Sequence, residues 1–285
     1  MTSKDQEDDC MSGQTPFQKL TGSLDAWKKK VSGVWGIWME DLNTGEKWFW
    51  NEKQPFVAAS MIKVPVMVAV YRAHAQGKLC LSDRISLRRE DKVGGSGVLQ
   101  HLSYGTEFSI QDLVTLMIIQ SDNTATNLLI DRLGKEYVQE TLLALGMNDT
   151  VFINRLHIVP AGSNKTNQIT AKDMARCFRL LATGQAVSRD ASQKMVEILK
   201  KQQWRNCLPG WFPPSDSEII GSLPRWEMAH KTGWVSQTLH DGGILYIGPH
   251  SLILVVLSSG LDHHQAQREI NQIGKWVYDA YAQAK

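Results

Sequence analysis

The chain has 285 residues, 42% of them hydrophobic and 21% charged, with a formal net charge of +2. That composition belongs to a globular chain with apolar material for a full core, and length alone allows about one or two domains of roughly 150 residues. So small a net charge points to neither nucleic acid nor an acidic membrane surface, and the longest apolar run, 252–257, is far too short to span a bilayer.

Residues 1–15 read as a disordered tail: polar, acidic (Asp5, Glu7, Asp8, Asp9) and without apolar periodicity. The tail lacks the apolar core of a signal peptide, so the expectation is a cytoplasmic protein, or an exported one whose leader is missing from this sequence. Thr15 followed by Pro16 is a helix start, and Leu20, Leu24, Trp27 and Val31 recur at helical spacing until Gly33. The run Lys28-Lys29-Lys30 suits the negative end of that helix better than it suits a polyanion. Two short runs, Val34–Met39 and Lys47–Trp50, flank Asn43-Thr44-Gly45 and predict a hairpin.

From Ser60 to about Lys200 the pattern is helical almost throughout. Ser109 and Asp112 form a capping-box signal for a helix through Leu113, Leu116, Met117 and Gln120, and 136–145, 171–183 and 188–201 carry the 3.6-residue apolar period. Thr150–Gln168 reads as a long ordered loop, and Leu208–Pro224, with four prolines, as a surface insertion. Strands return at Met228–Lys231, Gly243–Ile247 and Leu252–Leu257, the last two joined by Gly248-Pro249-His250. A closing helix, His264–Tyr281, puts Ile270, Ile273, Trp276, Val277 and Tyr281 on one face. The order predicts an α/β (α+β) fold. One antiparallel sheet is assembled from both ends of the chain and flanked by the terminal helices, with an all-helical subdomain inserted between. The expected domain is 16–285, its sheet part about 16–58 and 212–285 and its helical part about 59–211. Cysteines 10, 80, 177 and 207 form no Cys-x-x-Cys pair and read as free, mostly buried thiols.

Three short motifs carry chemistry. In Ser60-Met61-Ile62-Lys63 the hydroxyl and the amine sit three residues apart at a helix start, on one face. A serine hydroxyl needs a base to take its proton, and a lysine serves once burial or a nearby cation lowers its proton affinity. Backbone N–H groups at the helix start, that of Ser60 included, suit a developing oxyanion. In Ser121-Asp122-Asn123, Ser121 offers a relay hydroxyl and Asn123 an amide for a substrate carbonyl; helix capping explains the same letters. In Lys231-Thr232-Gly233, Lys231 offers a cation for a carboxylate, Thr232 a hydroxyl, and Gly233 room for close backbone approach; an exposed strand end does as well. Each motif alone is weak. The ordered triple, each member on the element its chemistry needs, is specific.

On those motifs and their separations, residues from about 17 to 285 resemble the class A β-lactamases within the serine β-lactamase and penicillin-binding protein superfamily. The resemblance implies an acyl-enzyme on Ser60, a second oxyanion donor from Thr232 or Trp234, a small β-lactam or acyl-D-Ala-type substrate, no cofactor or metal, no nucleic-acid or membrane partner, and a monomer. It departs most at one loop. The family hydrolyses its ester with a loop glutamate in an E-x-x-L-N setting, and Thr150–Gln168 contains neither Asp nor Glu. Arg155 cannot act as a base; His157 has a suitable ordinary proton affinity. Other histidines read as less informative: His263-His264 as a solvated helix start, and His240-Asp241 as a strand-edge ion pair where the family often has an arginine. Gly94-Gly95-Ser96-Gly97 reads as a loop lining one wall of the cleft. Three functions fit: a β-lactamase with slow deacylation, a D-Ala-D-Ala peptidase or esterase, and a penicillin-binding sensor that scarcely turns over.

Overall fold

A computed structural model describes residues 15–156, 166–216 and 219–282. Helix α1, Pro16–Lys28, opens on Thr15, whose side chain accepts from the Gln18 N–H while Gln18 accepts from the Thr15 N–H. Strands β1 (Val34–Asp41) and β2 (Lys47–Trp50) form the expected hairpin, and a short β3 (Phe56–Val57) follows. A 3-10 turn at Ala59–Ile62 leads into α2, Lys63–Ala75. Then come β4 (Arg84–Ser86), β5 (Glu107–Ser109), α3 (Ile110–Ile119), α4 (Asn123–Leu133), α5 (Lys135–Ala144) and β6 (Gln168–Ile169). Helices α6 (Ala171–Ala182) and α7 (Arg189–Lys200) precede β7 (Trp226–Val235), β8 (Thr238–Ile247), β9 (His250–Ser259) and α8 (His263–Ala282).

The main sheet runs in the order β2-β1-β9-β8-β7 and every neighbouring pair is antiparallel, so the two ends of the chain meet between β1 and β9. The fold is mixed α/β, as the sequence predicts. Alternation along the strands divides the core in two. On one face Trp35, Ile37, Met39, Leu252, Leu254 and Val256 pack against α1 and α8. On the other, Ile253, Val255 and Leu257 pack against the inserted helices. A strand buried on both faces reads as the continuous apolar run at 252–257. Helix α2 lies at the centre of the inserted helices and is buried nearly all round, from Lys63 to Tyr71. Each of its fully buried aliphatic side chains contributes about 1.5–3 kcal/mol by removal from water, which fixes the helix whose first residue is Lys63.

The structure corrects the sequence reading in three places. The helical stretch is interrupted by two small antiparallel pairs, β4 with β5 and β3 with β6; pieces of two or three residues show no alternation to read. Strands β7 and β8 extend well beyond the predicted segments: β8 runs through the buried Thr238, His240 and Asp241, and β7 through Thr232 and Gly233 to the exposed Trp234 and Val235. In 208–224, Leu208 and Pro209 are buried in a 3-10 turn against α8, where a Cβ on Gly274 would come within 2.0 Å of the Leu208 carbonyl. Ile219, Ile220 and Leu223 of the same stretch are exposed.

Candidate active site

Ser60 stands half-buried on the 3-10 turn ahead of α2. The residue before it, Ala59, has φ +44, a left-handed conformation that a residue with a Cβ adopts only when its surroundings impose it. Lys63 is fully buried. Its Nζ donates to the Ser121 carbonyl, to Ser121 Oγ at 3.0 Å and to Asn123 Oδ1 at 2.8 Å. The shared helix face predicts Ser60 Oγ within reach of this amine; among the described residues no hydrogen bond joins the two, and the three partners of Nζ all belong to the second motif.

That motif joins α3 to α4. Ser121, at φ +54, occupies the left-handed position that usually ends a helix on glycine or asparagine. Asp122 is fully buried and caps α4, accepting from the Ala125 N–H at 2.9 Å. Its other oxygen accepts from the Val98 and Leu99 N–H groups at 2.7 and 2.8 Å. Asn123 donates to the Gly94 carbonyl at 3.1 Å, and its N–H donates to the Ser96 carbonyl at 3.0 Å. The glycine-rich loop is thereby tied to the motif as one wall of the site.

Strand β7 supplies the third motif. Lys231 is fully buried, donating to Ser121 Oγ at 3.1 Å and to the Thr232 carbonyl at 2.8 Å. Gly233 closes on the Ser60 turn: a Cβ there would come 3.1 Å from the Met61 nitrogen and 3.2 Å from Ala59 Cβ. Thr232 is nearly buried. Trp234 is 64% exposed, its ring 4.8 Å from that of His263 at the start of α8.

Two lysines thus share one hydroxyl. Burial, then the charge of Lys231, pushes the Lys63 amine well below the usual lysine range, against a smaller upward pull from Asp122. Burial also brings Lys231 down to about 7, opposed by Asp241. In its neutral form Lys63 keeps two N–H donors for the Ser121 carbonyl and Asn123, and its lone pair accepts the Ser121 hydroxyl proton. A charged Lys231 donates to the same hydroxyl, so the network is satisfied with one cation rather than two. His240 and Asp241 are not at a strand edge: both are fully buried within β8, and Asp241 pairs with His230 Nδ1 at 2.8 Å and accepts from the Leu208 N–H at 2.9 Å.

The loop after α5 is pinned at both ends. Asn127 accepts from the Leu156 N–H at 2.8 Å and donates to the Leu156 carbonyl at 2.7 Å. Asn167 accepts from Ile153 and Asn154 N–H groups at 2.7 and 3.0 Å. Arg155 pairs with Asp131 at 2.9 Å. The flanking Asp173 is occupied with the Asp149 N–H and the Thr150 hydroxyl, at 2.9 and 2.8 Å. His157 lies outside the described residues. The motifs give Asn127 no role, although its place four residues after Asn123 on one helix is a usable signal.

The model of the β-lactamase enzyme family matches residues 19–281. The β-lactamase of Sphaerobacter thermophilus DSM 20745 is 33% identical in sequence, with a TM-score of 0.84 over 93% of this chain and 98% of that one. A β-lactamase of Rhodobacter capsulatus is 26% identical over 191 residues, which is 66% of this chain and 64% of the relative. The structure of PBP-A, at 24% identity and a TM-score of 0.81 over 93% of this chain and 97% of that one, shares the fold.

Proposed function

The chain belongs to the β-lactamase enzyme family, and we propose that it opens β-lactam rings through an acyl-enzyme on Ser60 that it hydrolyses slowly. The observation that carries this reading is the convergence of Lys63 and Lys231 on Ser121 Oγ, at 3.0 and 3.1 Å, beside the Ser60 turn. Neutral Lys63 takes the Ser60 proton as Oγ attacks the ring carbonyl; to do so it exchanges one of its present partners when substrate enters, a tightening common to catalytic hydrogen bonds. The Ser60 and Trp234 N–H groups receive the oxyanion. The proton passes from Lys63 through Ser121 Oγ to the departing ring nitrogen. Lys231 and Thr232 hold the substrate carboxylate, and the second N–H of the Asn123 amide serves a substrate carbonyl. Hydrolysis of the ester then needs a base for water, and 150–168 has no carboxylate. His157, next to Leu156, is the candidate base of that loop.

The same missing carboxylate favours a second reading, a penicillin-binding-type peptidase or esterase in which Lys63 and Ser121 handle protons in both half-reactions. Intact mass spectrometry after mixing with a penicillin, a simple ester and an acyl-D-Ala-D-Ala peptide separates the two. A long-lived adduct on Ser60 with the penicillin and no peptide turnover supports the first. Rapid peptide or ester turnover with a stalled penicillin adduct replaces it with the second.

A further inference from the structure

His240 has no place in the chemistry above, yet both its ring nitrogens are committed. It is fully buried on β8, directly opposite Gly233 of β7. Nδ1 lies 3.1 Å from the Ser258 backbone nitrogen, which can only donate, so Nδ1 carries the lone pair. Nε2 lies 2.9 Å from the Val57 carbonyl, which can only accept, so Nε2 carries the proton. One neutral tautomer satisfies both partners, and burial, opposed by the Val57 and Leu239 backbone, holds the ring down to about 4, where it stays uncharged. The Phe56 ring meets it edge to face with centroids 5.9 Å apart.

Val57 is three residues before Ser60, and between them stands Ala59 in its left-handed conformation. The surroundings must impose such a conformation, and both members of the Gly233–His240 register pair meet this segment. Gly233 closes on Ala59 and Met61 by contact. His240 holds the entry to the turn by its carbonyl.

We propose that His240 is a positioning residue for the nucleophile, fixing the Val57 carbonyl so that the Ala59 turn presents Ser60 to Lys63 and the oxyanion donors. The inference rests on the reading of Ser60 as nucleophile, but not on which acyl group it takes.

The two bonds of the ring can be removed separately. His240→Gln keeps an N–H donor where Nε2 stands and loses the acceptor for Ser258. His240→Asn keeps that acceptor and loses the donor for Val57. Each variant gives up one buried hydrogen bond, so a purely structural role predicts equal losses of melting temperature and of rate. A positioning role predicts that Asn slows Ser60 labelling by about ten- to a hundredfold while Gln stays within about threefold of the parent. Labelling is followed by intact mass with benzylpenicillin and, in parallel, with a fluorophosphonate that needs only a reactive serine. A parent labelled by the fluorophosphonate alone counts against the β-lactam reading, while the Gln–Asn comparison still decides the role of His240. Crystal structures of both variants read the same difference without any reagent. The 57–60 segment shifts in the Asn variant and stays in place in the Gln variant. Equal slowing in both, or slowing confined to Gln, overturns the proposal. Should the Asn variant not fold, Gln alone decides: a tenfold loss contradicts the role, and near-parent labelling with the segment unmoved supports it.

Discussion

Asn127 holds Leu156 by both of its backbone polar groups, accepting from its N–H at 2.8 Å and donating to its carbonyl at 2.7 Å. Asn127 is one helical turn beyond Asn123, whose Oδ1 accepts from Lys63, so the clamp holds the Leu156 backbone to the helix that also carries Asn123. The Leu156 side chain itself is half-buried and packs against the helical core. Leu156→Glu supplies the carboxylate this loop lacks and should shorten the life of a penicilloyl adduct by about a hundredfold, the lower end of what a positioned general base supplies. Time-resolved intact mass spectrometry checks it, with His157→Ala run alongside, which should lengthen the adduct's life. An unchanged lifetime in the Glu variant would mean that position 156 does not face the ester.

Ser60→Ala should abolish covalent labelling and all hydrolysis. Lys63→Ala should slow acylation by about a hundred- to ten-thousandfold, the range of general-base assistance. It also strips a donor from the Ser121 carbonyl and from Asn123 Oδ1, so a loss of about 1–3 kcal/mol in stability is expected from buried groups left unpaired. Stopped-flow acylation and urea unfolding separate the two effects. Acylation at the parent rate would move the base role to another group.

Much of this was legible because local and global signals agree. The capping box at Ser109, the hairpin at 43–45 and the apolar run at 252–257 each state their element. The motif triple gave the residues that meet at Ser121, since its order and the elements carrying it are sequence properties. The geometry of Lys63 was not legible: spacing on a helix face says that Ser60 and Lys63 can meet, while the competing acceptors come from a loop 58 residues away. Nor was the role of Asp241, whose partners His230 and Leu208 are known only once β7, β8 and the 208–211 turn are stacked. Short pairs such as β3 with β6 escape because tertiary contact makes them, not pattern.

Substrate binding should depend on pH through Lys231. With its ammonium brought down to about 7, Lys231 offers a full charge below that pH and loses it above. The KM of a penicillin, which carries a carboxylate, should therefore rise as pH climbs from about 6 to 9, while that of a neutral ester stays level. Lys231→Arg, which cannot lose its proton, should flatten the penicillin profile. The stability contribution has the opposite trend: across the window from about 7 to the usual lysine value the unfolded chain binds the extra proton, so this group's share of stability grows as pH rises. A penicillin KM that stays flat to pH 9 would mean that another cation meets the carboxylate.

Asp122 links the stability of the site to the charge of Lys63, the proposed base. Fully buried, its two oxygens take the Ala125 N–H on one side and the Val98 and Leu99 N–H groups on the other. A Cβ on Gly97 would fall 2.3 Å from the same carboxyl, so the loop and the cap are packed against each other without slack. Asp122→Asn keeps the shape but has one oxygen for two sets of donors, so at least one buried N–H is left facing an NH2 group. A loss of about 2–3 kcal/mol follows, the cost of a buried donor left unsatisfied plus a clash of like dipoles. The charge effect runs separately. The carboxylate pulls the Lys63 proton affinity up, so removing it pushes that amine further down. Lys63 acts as a base only when neutral, and the acid limb of the acylation rate should therefore move to lower pH in the Asn variant even as the protein becomes easier to unfold. Urea unfolding and the pH dependence of Ser60 labelling, measured on one preparation, test both halves. An acid limb that stays in place, or moves upward, would show that the titrating base is not the lysine beside Asp122.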